Sequence, residues 1–240
     1  DLERAAEYMR RAVKLCPDNP HYRLQLASIL QRLGRREEAA REAESAFETA
    51  GANREVGRLA VRILKESGDL DALVRVARKH LRNFPDDIEA LLELAQAMER
   101  AGNLGEAIRY MERAVEICPS DEYMRMYLAS LYEAVGDIPS AMEEYQQVVR
   151  MLGERPPAPH SRRLLLAATE AIRLLDRMQI SEIVRLARLD PAFRRRLSED
   201  PQAAIEERGF SLSGEGLALL QGIDWADPST WPRFPSSTGN

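Results

Sequence analysis

The stretch IEALLELAQAMERAGNLGEAIRYMERAVEICPSD, residues 88–121, carries two apolar stripes at helical spacing, separated by Gly102 and ended by Pro119. Glycine recurs at the same point of every 34-residue unit, at Gly34, Gly68, Gly102 and Gly136. A helix breaker recurs between these glycines, at Pro17, Gly51, Pro85, Pro119 and Gly153. Glycine closes a helix in the left-handed conformation, and proline ends one because it lacks an N–H group. The period therefore predicts a repeated helix–turn–helix unit.

Other positions keep the same phase. A large residue stands beside a small one in the first helix of the units, as in Leu26-Ala27, Leu94-Ala95 and Leu128-Ala129. The second helix repeats an apolar position at Ala39, Leu73, Ala107 and Ala141. On these residues the sequence resembles the tetratricopeptide repeat family, although the usual early Trp is absent. The resemblance implies an all-α solenoid, wound as a right-handed superhelix, that binds a protein or peptide in its concave groove and is not an enzyme.

The repeats predict how the chain is divided. A solenoid over 1–155 would contain four complete repeats, at 20–53, 54–87, 88–121 and 122–155. Residues 1–19 match only the second helix of a repeat, so we expect a chain cut from something longer, with an uncovered N-terminal edge that can support self-association. The rest of the chain is predicted to form a linker and capping helix at 156–178, a small helical module at 179–225 and a flexible tail at 226–240.

The resemblance also implies which residues bind the partner. The first helices line the groove in this family, which here selects Leu24, Ser28, Gln31, Arg58, Arg62, Lys65, Leu92, Gln96, Glu99, Tyr123, Met126 and Ser130. Arg58, Arg62 and Lys65 stand four and three residues apart, so they share one helix face and can receive an acidic segment of a partner. The alternative is a solvated face on which Glu55, Glu66 and Asp69 neutralise these cations.

The C-terminal third departs from the period. Six residues predict the buried stripe of the capping helix, namely Leu164, Ala167, Ala168, Ala171, Leu174 and Leu175. Short helices follow, because Asp190-Pro191 and Asp200-Pro201 each combine a capping residue with a proline suited to a first turn. The predicted core of this module comprises Phe193, Phe210 and Trp225 together with Leu186, Leu197, Ile205 and Leu217.

This module also carries a resemblance. Its pattern from Leu186 to Trp225 is similar to nitrile-hydratase-like leader peptides of ribosomal peptide natural products and to the small subunit of extradiol dioxygenases. The first resemblance implies an alternative function, in which a modifying enzyme grips the module during peptide biosynthesis. No cleavage dipeptide follows Trp225, and the last residues contain no Cys. The other reading is a structural helical module followed by a frayed end.

Composition and motifs narrow the function further. The 39 acidic and 34 basic residues are scattered and give a formal net charge of -5, which favours neither nucleic acid nor a membrane surface as partner. The longest apolar runs are far shorter than the roughly 18 residues that span a bilayer, and we expect a cytoplasmic, bacterial protein. His21, His80 and His160 have no metal-ligand spacing, and no phosphate loop or nucleophile motif is present. We expect no catalysis, no cofactor and no metal.

Overall fold

The structure, a computed structural model, describes residues 1–153 and 159–232, and within those ranges it contains helices and no strand. The chain divides into two compact units, residues 1–118 and 119–240. The helices of the first unit are α1 (Leu2–Leu15), α2 (Pro20–Arg32), α3 (Arg36–Ala50), α4 (Arg54–Ser67), α5 (Leu70–Asn83), α6 (Ile88–Arg100) and α7 (Leu104–Ile117). Those of the second unit are α8 (Glu122–Val135), α9 (Ile138–Gly153), α10 (Pro159–Leu189), α11 (Pro191–Glu199), α12 (Pro201–Glu206) and α13 (Gly214–Gln221).

In the first unit, consecutive helices pack against each other in the order of the chain, as the predicted helix–turn–helix units require. Gly34, Gly68 and Gly102 adopt φ values of 76°, 80° and 74°, the left-handed region in which glycine is preferred. The small residues of the repeat are fully buried, and Ala27 and Ala95 are both 0% exposed. Close helix approach through these positions produces the continuous core of the unit.

The apolar side chains of α1 are more exposed than their counterparts in the next repeat. Ala5, Met9 and Ala12 are only half-buried, whereas the equivalent positions of the next repeat, Ala39, Ala43 and Ala46, are 0% exposed. The difference arises because α3 packs against both α2 and α4, whereas α1 packs mainly against α2. Both cysteines are free, and Cys16 is exposed.

In the second unit, the capping helix is longer than the sequence analysis predicted. A boundary at residue 178 is wrong, because α10 runs without a break from Pro159 to Leu189, and the first Asp-Pro pair lies only at 190–191. Ala168 and Leu175 are buried with the α8 and α9 side chains, as expected. Ala167 and Leu174, however, face solvent, so the buried stripe is narrower than predicted.

The C-terminal helices form the predicted core. Phe193 and Trp225 are 3% and 5% exposed, and Leu197 and Ile205 are buried with them. Phe210 is only half-buried against this cluster. Asp190, Asp200 and Ser213 cap α11, α12 and α13 through their side chains, and two of these are the Asp-Pro pairs read from the sequence.

Packed structure extends past residue 225, the predicted end of the C-terminal module. Trp231 is 3% exposed and packs edge-on against Trp225, with ring centroids 5.2 Å apart. Its indole N–H donates to the carbonyl oxygen of Asp224 at 2.7 Å. Trp231 is therefore packed where the sequence analysis predicted a flexible tail from residue 226. Residues 233–240 of that tail and residues 156–158 of the predicted linker lie outside the described residues.

Candidate peptide-binding face

The predicted groove residues of α2 converge on a cavity between α2 and α4 in the first unit. This cavity has a volume of about 370 Å³ and is lined by Leu24, Ser28 and Gln31, together with Arg62 of α4. Leu24 is 5% exposed, so it forms the cavity wall more than its open surface, and Ser28 is exposed. The side-chain amide of Gln31 donates to the carbonyl oxygen of Ile63 at 2.9 Å and so ties the two helices together.

The sequence analysis missed several cavity residues. Leu59 and Ile63 supply the apolar part of the α4 wall, and Gln25 and Glu66 supply polar groups. Leu59 and Ile63 stand four residues apart, on either side of the position of Arg62 along α4. Their spacing could have predicted this apolar wall, but the prediction for α4 drew instead on the row of cations on the same helix. The cavity therefore combines apolar walls with hydrogen-bonding groups at its opening.

The three cations of α4 already have carboxylate partners on α6 or at its N-cap. Arg58 Nε lies 2.7 Å from Asp87 Oδ2, Arg62 Nη2 lies 2.8 Å from Glu89 Oε1, and Lys65 Nζ lies 2.6 Å from Glu93 Oε1. The hydrogen bonds that Arg62 donates to Glu89 are the main reason why the pKa of Arg62 is raised above its ordinary value.

These pairs correct two expectations. The cations are not free to receive an acidic segment, because a ligand carboxylate would have to displace an intramolecular one. The neutralising acids also differ from the ones expected, since Glu55, Glu66 and Asp69 do not form these bonds. The actual partners lie on α6 or at its N-cap, 27 to 29 residues away. The row of cations therefore forms ion pairs that join α4 to α6.

The most buried of these ion pairs also involves a histidine. Asp87 is 0% exposed, and its Oδ2 atom also accepts a hydrogen bond from His80, whose Nε2 lies 3.0 Å away. Burial acts to raise the pKa of Asp87, but hydrogen bonds from His80, Arg58 and the Ala90 N–H outweigh it and hold that pKa below its ordinary value. Asp87 also caps α6 through Ala90. One carboxylate thus connects α4, α5 and α6.

The remaining predicted residues lie away from the cavity. On α6, Leu92 and Gln96 are half-buried and Glu99 is exposed. In the second unit, Tyr123 is 54% exposed and Met126 is half-buried on α8. The hydroxyl of Ser130 donates to the Tyr127 carbonyl oxygen at 2.7 Å, so its hydrogen is committed to its own helix.

A metal-binding cluster is not found in the part of the chain that the structure describes. Within residues 1–153 and 159–232, no three His, Cys, Asp or Glu side chains gather as metal ligands. The same residues contain no helix with the length and apolar character needed to cross a membrane. The first unit contains a cavity between α2 and α4.

Protein-family models of the tetratricopeptide repeat match residues 1–55, 54–97 and 88–131, which together exceed half of the 240 residues. The chain belongs to the tetratricopeptide repeat family. As in other members of that family, the repeats build the fold, and these matches cover the whole α2–α6 face. They end at residue 131, so the resemblance of the C-terminal module to leader peptides stays a prediction.

Curated relatives of this tetratricopeptide repeat protein include the antiviral innate immune response effector IFIT1 of Homo sapiens, which is 26% identical over 164 residues. The same protein of Macaca fascicularis is equally similar. The match covers 60% of this chain and 34% of either relative, so the chain spans about a third of their length.

Solved structures show the same tetratricopeptide repeat fold. MamA superposes with a TM-score of 0.55 at 15% identity, covering 64% of this chain and 90% of MamA. YrrB, described as a TPR protein with an unusual peptide-binding site, superposes with a TM-score of 0.55 at 16% identity, covering 70% of this chain and 84% of YrrB. At these identities the likeness concerns the fold alone.

Proposed function

We propose that this chain is a non-catalytic scaffold that binds a segment of a partner polypeptide on the α2–α4 face of its first unit. The observation that carries the proposal is the 370 Å³ cavity between these helices, on which Leu24, Ser28, Gln31 and Arg62 converge. Ligand sites are concave, largely apolar and furnished with a few polar groups. Peptide binding by a family relative, YrrB, supports the proposal as an analogy of fold.

The contacts favour a ligand residue with an uncharged, apolar side chain. Leu24 and Ile63 are 5% and 7% exposed at the base of the cavity, so a side chain that enters it exchanges water for apolar walls. Gln25 and Ser28 are exposed at its opening and can bond the backbone of an extended peptide. An acidic ligand gains little, because the neighbouring cations are neutralised by α6.

The proposal is tested by selecting ligands for the full chain from a displayed library of random peptides. We expect the selected peptides to share an apolar residue. Ser28→Trp places a bulky ring at the cavity opening and should weaken their binding at least about tenfold, which corresponds to about 1.4 kcal/mol. Fluorescence anisotropy with the synthetic peptide measures the affinity.

Glu48→Trp is the matched control, because Glu48 is exposed on α3 and does not line the cavity. It introduces the same side chain and should leave the affinity unchanged. If Ser28→Trp binds the peptides as tightly as the unsubstituted protein, or if both Trp variants lose binding equally, the cavity is not the site.

A further inference from the structure

A second pocket of the first unit, between α5 and α7, is lined mainly by arginine. Its volume is about 260 Å³. The lining comprises Arg78 of α5 and Glu106, Arg109, Tyr110 and Arg113 of α7, and we call these residues the α5–α7 pocket. None of them lines the α2–α4 cavity, so the two sites are separate.

Hydrogen bonds to the protein hold two of the three guanidinium groups of this pocket. Arg78 donates through Nε to the Tyr110 hydroxyl at 3.3 Å and through Nη2 to the Glu106 carboxylate. Arg113 donates through Nη2 to the carbonyl oxygen of Pro85 at 2.8 Å. The Nη1 groups of both arginines have no acceptor among the described residues, so they retain N–H donors for a ligand. Donors that are already held lower the ordering cost of binding.

The α5–α7 pocket carries a net positive charge. Its three arginines face one acid, Glu106, whose carboxylate bonds Arg78 and lies 3.9 Å from Arg109. Arg113 has no carboxylate at ion-pair distance in the described part of the chain. The surroundings agree with this excess, because residues 78–82 and 106–116 contain five Lys or Arg and three Glu. Two surplus positive charges suit a ligand group with two negative charges.

We propose that the α5–α7 pocket binds the phosphate monoester of a phosphorylated serine or threonine in a partner polypeptide. Such a phosphate carries close to two negative charges at pH 7 and offers three acceptor oxygens. Guanidinium groups donate paired hydrogen bonds that match these oxygens, and arginine clusters serve in phosphopeptide recognition. An Asp or Glu side chain of a partner brings one charge and two oxygens, which Glu106 already supplies inside the pocket. This site does not depend on the function proposed for the α2–α4 cavity.

Other phosphate ligands fit these charges less well. Nucleic acid binds through many phosphates along an extended basic surface, and Glu112 and Glu116 interrupt such a surface beside and one turn beyond Arg113. An anionic membrane would be repelled by a chain whose formal net charge is -5. Inorganic phosphate has a suitable charge but makes no contact outside the pocket. A single phosphate on a polypeptide meets none of these obstacles.

The probe is a fluorescein-labelled mixture of peptides with phosphoserine at the centre and all amino acids at the flanking positions. A second mixture carries Glu at the centre. Fluorescence anisotropy should show that the full chain binds the phosphoserine mixture at least about tenfold more tightly than the Glu mixture, and added salt should weaken this binding. Equal affinity for both mixtures, or no binding of the phosphoserine mixture, would overturn the proposal.

A substitution locates the binding. Arg109→Gln removes one guanidinium group from a side chain that is 72% exposed, so the circular dichroism should not change. It should weaken binding of the phosphoserine mixture at least about fivefold. The matched control is Arg41→Gln on α3, where Arg41 is exposed and lies outside the pocket, and this variant should bind normally. Unchanged binding by Arg109→Gln, or an equal loss in Arg41→Gln, would contradict the assignment.

Two further ligands identify the source of the phosphate. If inorganic phosphate binds as tightly as the phosphoserine mixture, the site takes the free ion and the proposal fails. If single-stranded RNA binds through Arg109 while the phosphoserine mixture does not bind, the site belongs to nucleic acid and the proposal also fails. A chain that prefers the phosphoserine mixture to both ligands, and loses that preference in Arg109→Gln, supports the proposal.

Discussion

Gly57 on α4 is the position where one added methyl group should do most damage. A Cβ atom there would lie 2.1 Å from His80 Nδ1 and 2.6 Å from Cε1 of the same ring. The ring has little room to retreat, because its centroid lies 5.0 Å from that of Phe84 and 6.5 Å from that of Phe47. Gly57→Ala must therefore move His80 or separate α4 from α5.

The expected magnitude follows from three opposing contributions. Overpacking a closed site costs about 1–3 kcal/mol. Moving His80 weakens its bond to the fully buried Asp87, and an unsatisfied buried polar group costs about 1–3 kcal/mol. Replacing Gly by Ala within a helix returns about 0.5–1 kcal/mol. We expect Gly57→Ala to lower the free energy of unfolding by about 2–4 kcal/mol.

Chemical denaturation followed by circular dichroism measures this loss, and Gly105→Ala is the matched control. Gly105 lies in α7, and a Cβ atom there would meet nothing within 4 Å, so the control should be neutral or slightly stabilising. His80→Ala removes the obstructing ring. In that background Gly57→Ala should cost at least about 2 kcal/mol less than in the unsubstituted protein. Equal costs in the two backgrounds, or a Gly57→Ala protein as stable as the control, would refute the packing argument.

Three other positions give independent tests. The pKa of Asp87 is held below its ordinary value, so its ionised carboxylate stabilises the folded state. This contribution is fully present above the ordinary Asp pKa of about 4 and is lost as the pH falls through the lowered pKa. Asp87→Asn should therefore flatten the acid limb of the stability–pH curve, and a limb of unchanged steepness would contradict this role. A Cβ atom at Gly216 would lie 2.5 Å from the Asp176 carboxyl carbon, whereas one at Gly214 would meet nothing within 4 Å. Gly216→Ala should therefore reduce the hydrogen-exchange protection of the α13 amides by about 1–3 kcal/mol, and Gly214→Ala should not. Trp231→Ala should cost about 3–5 kcal/mol of local stability in hydrogen exchange at residues 224–231, and retained protection there would show that Trp231 does not hold this segment.

The repeats were predictable because their signals are local. A glycine that must adopt positive φ and a breaker 17 residues later act on their own stretch of backbone, whatever lies elsewhere. The caps at Asp190 and Asp200 are equally local, since each side chain bonds an amide two or three residues ahead. The length of α10 also had a local signal, because no breaker stands between Pro159 and Leu189, but the predicted boundary at residue 178 did not use it.

The candidate site was only partly predictable. Periodicity correctly placed Arg58, Arg62 and Lys65 on one face, but it could not supply their partners, which come from a helix about 28 residues further on. Which carboxylate meets which cation depends on how α6 is rotated against α4 and on the rotamers chosen there. The same rotation decides that Leu59 and Ile63 form a cavity wall.

The sequence by itself determined the helical repeat, its family and the capping residues, because backbone conformation and amphipathic spacing are set within one or two helical turns. Only the tertiary structure decided that carboxylates on α6 pair with the α4 cations and that Gly57 leaves room for His80. It alone also decided that Trp231 packs against Trp225 and that Leu174 is exposed. Each of these depends on atoms brought together by helix packing, whose distances of a few ångströms no spacing along the chain specifies.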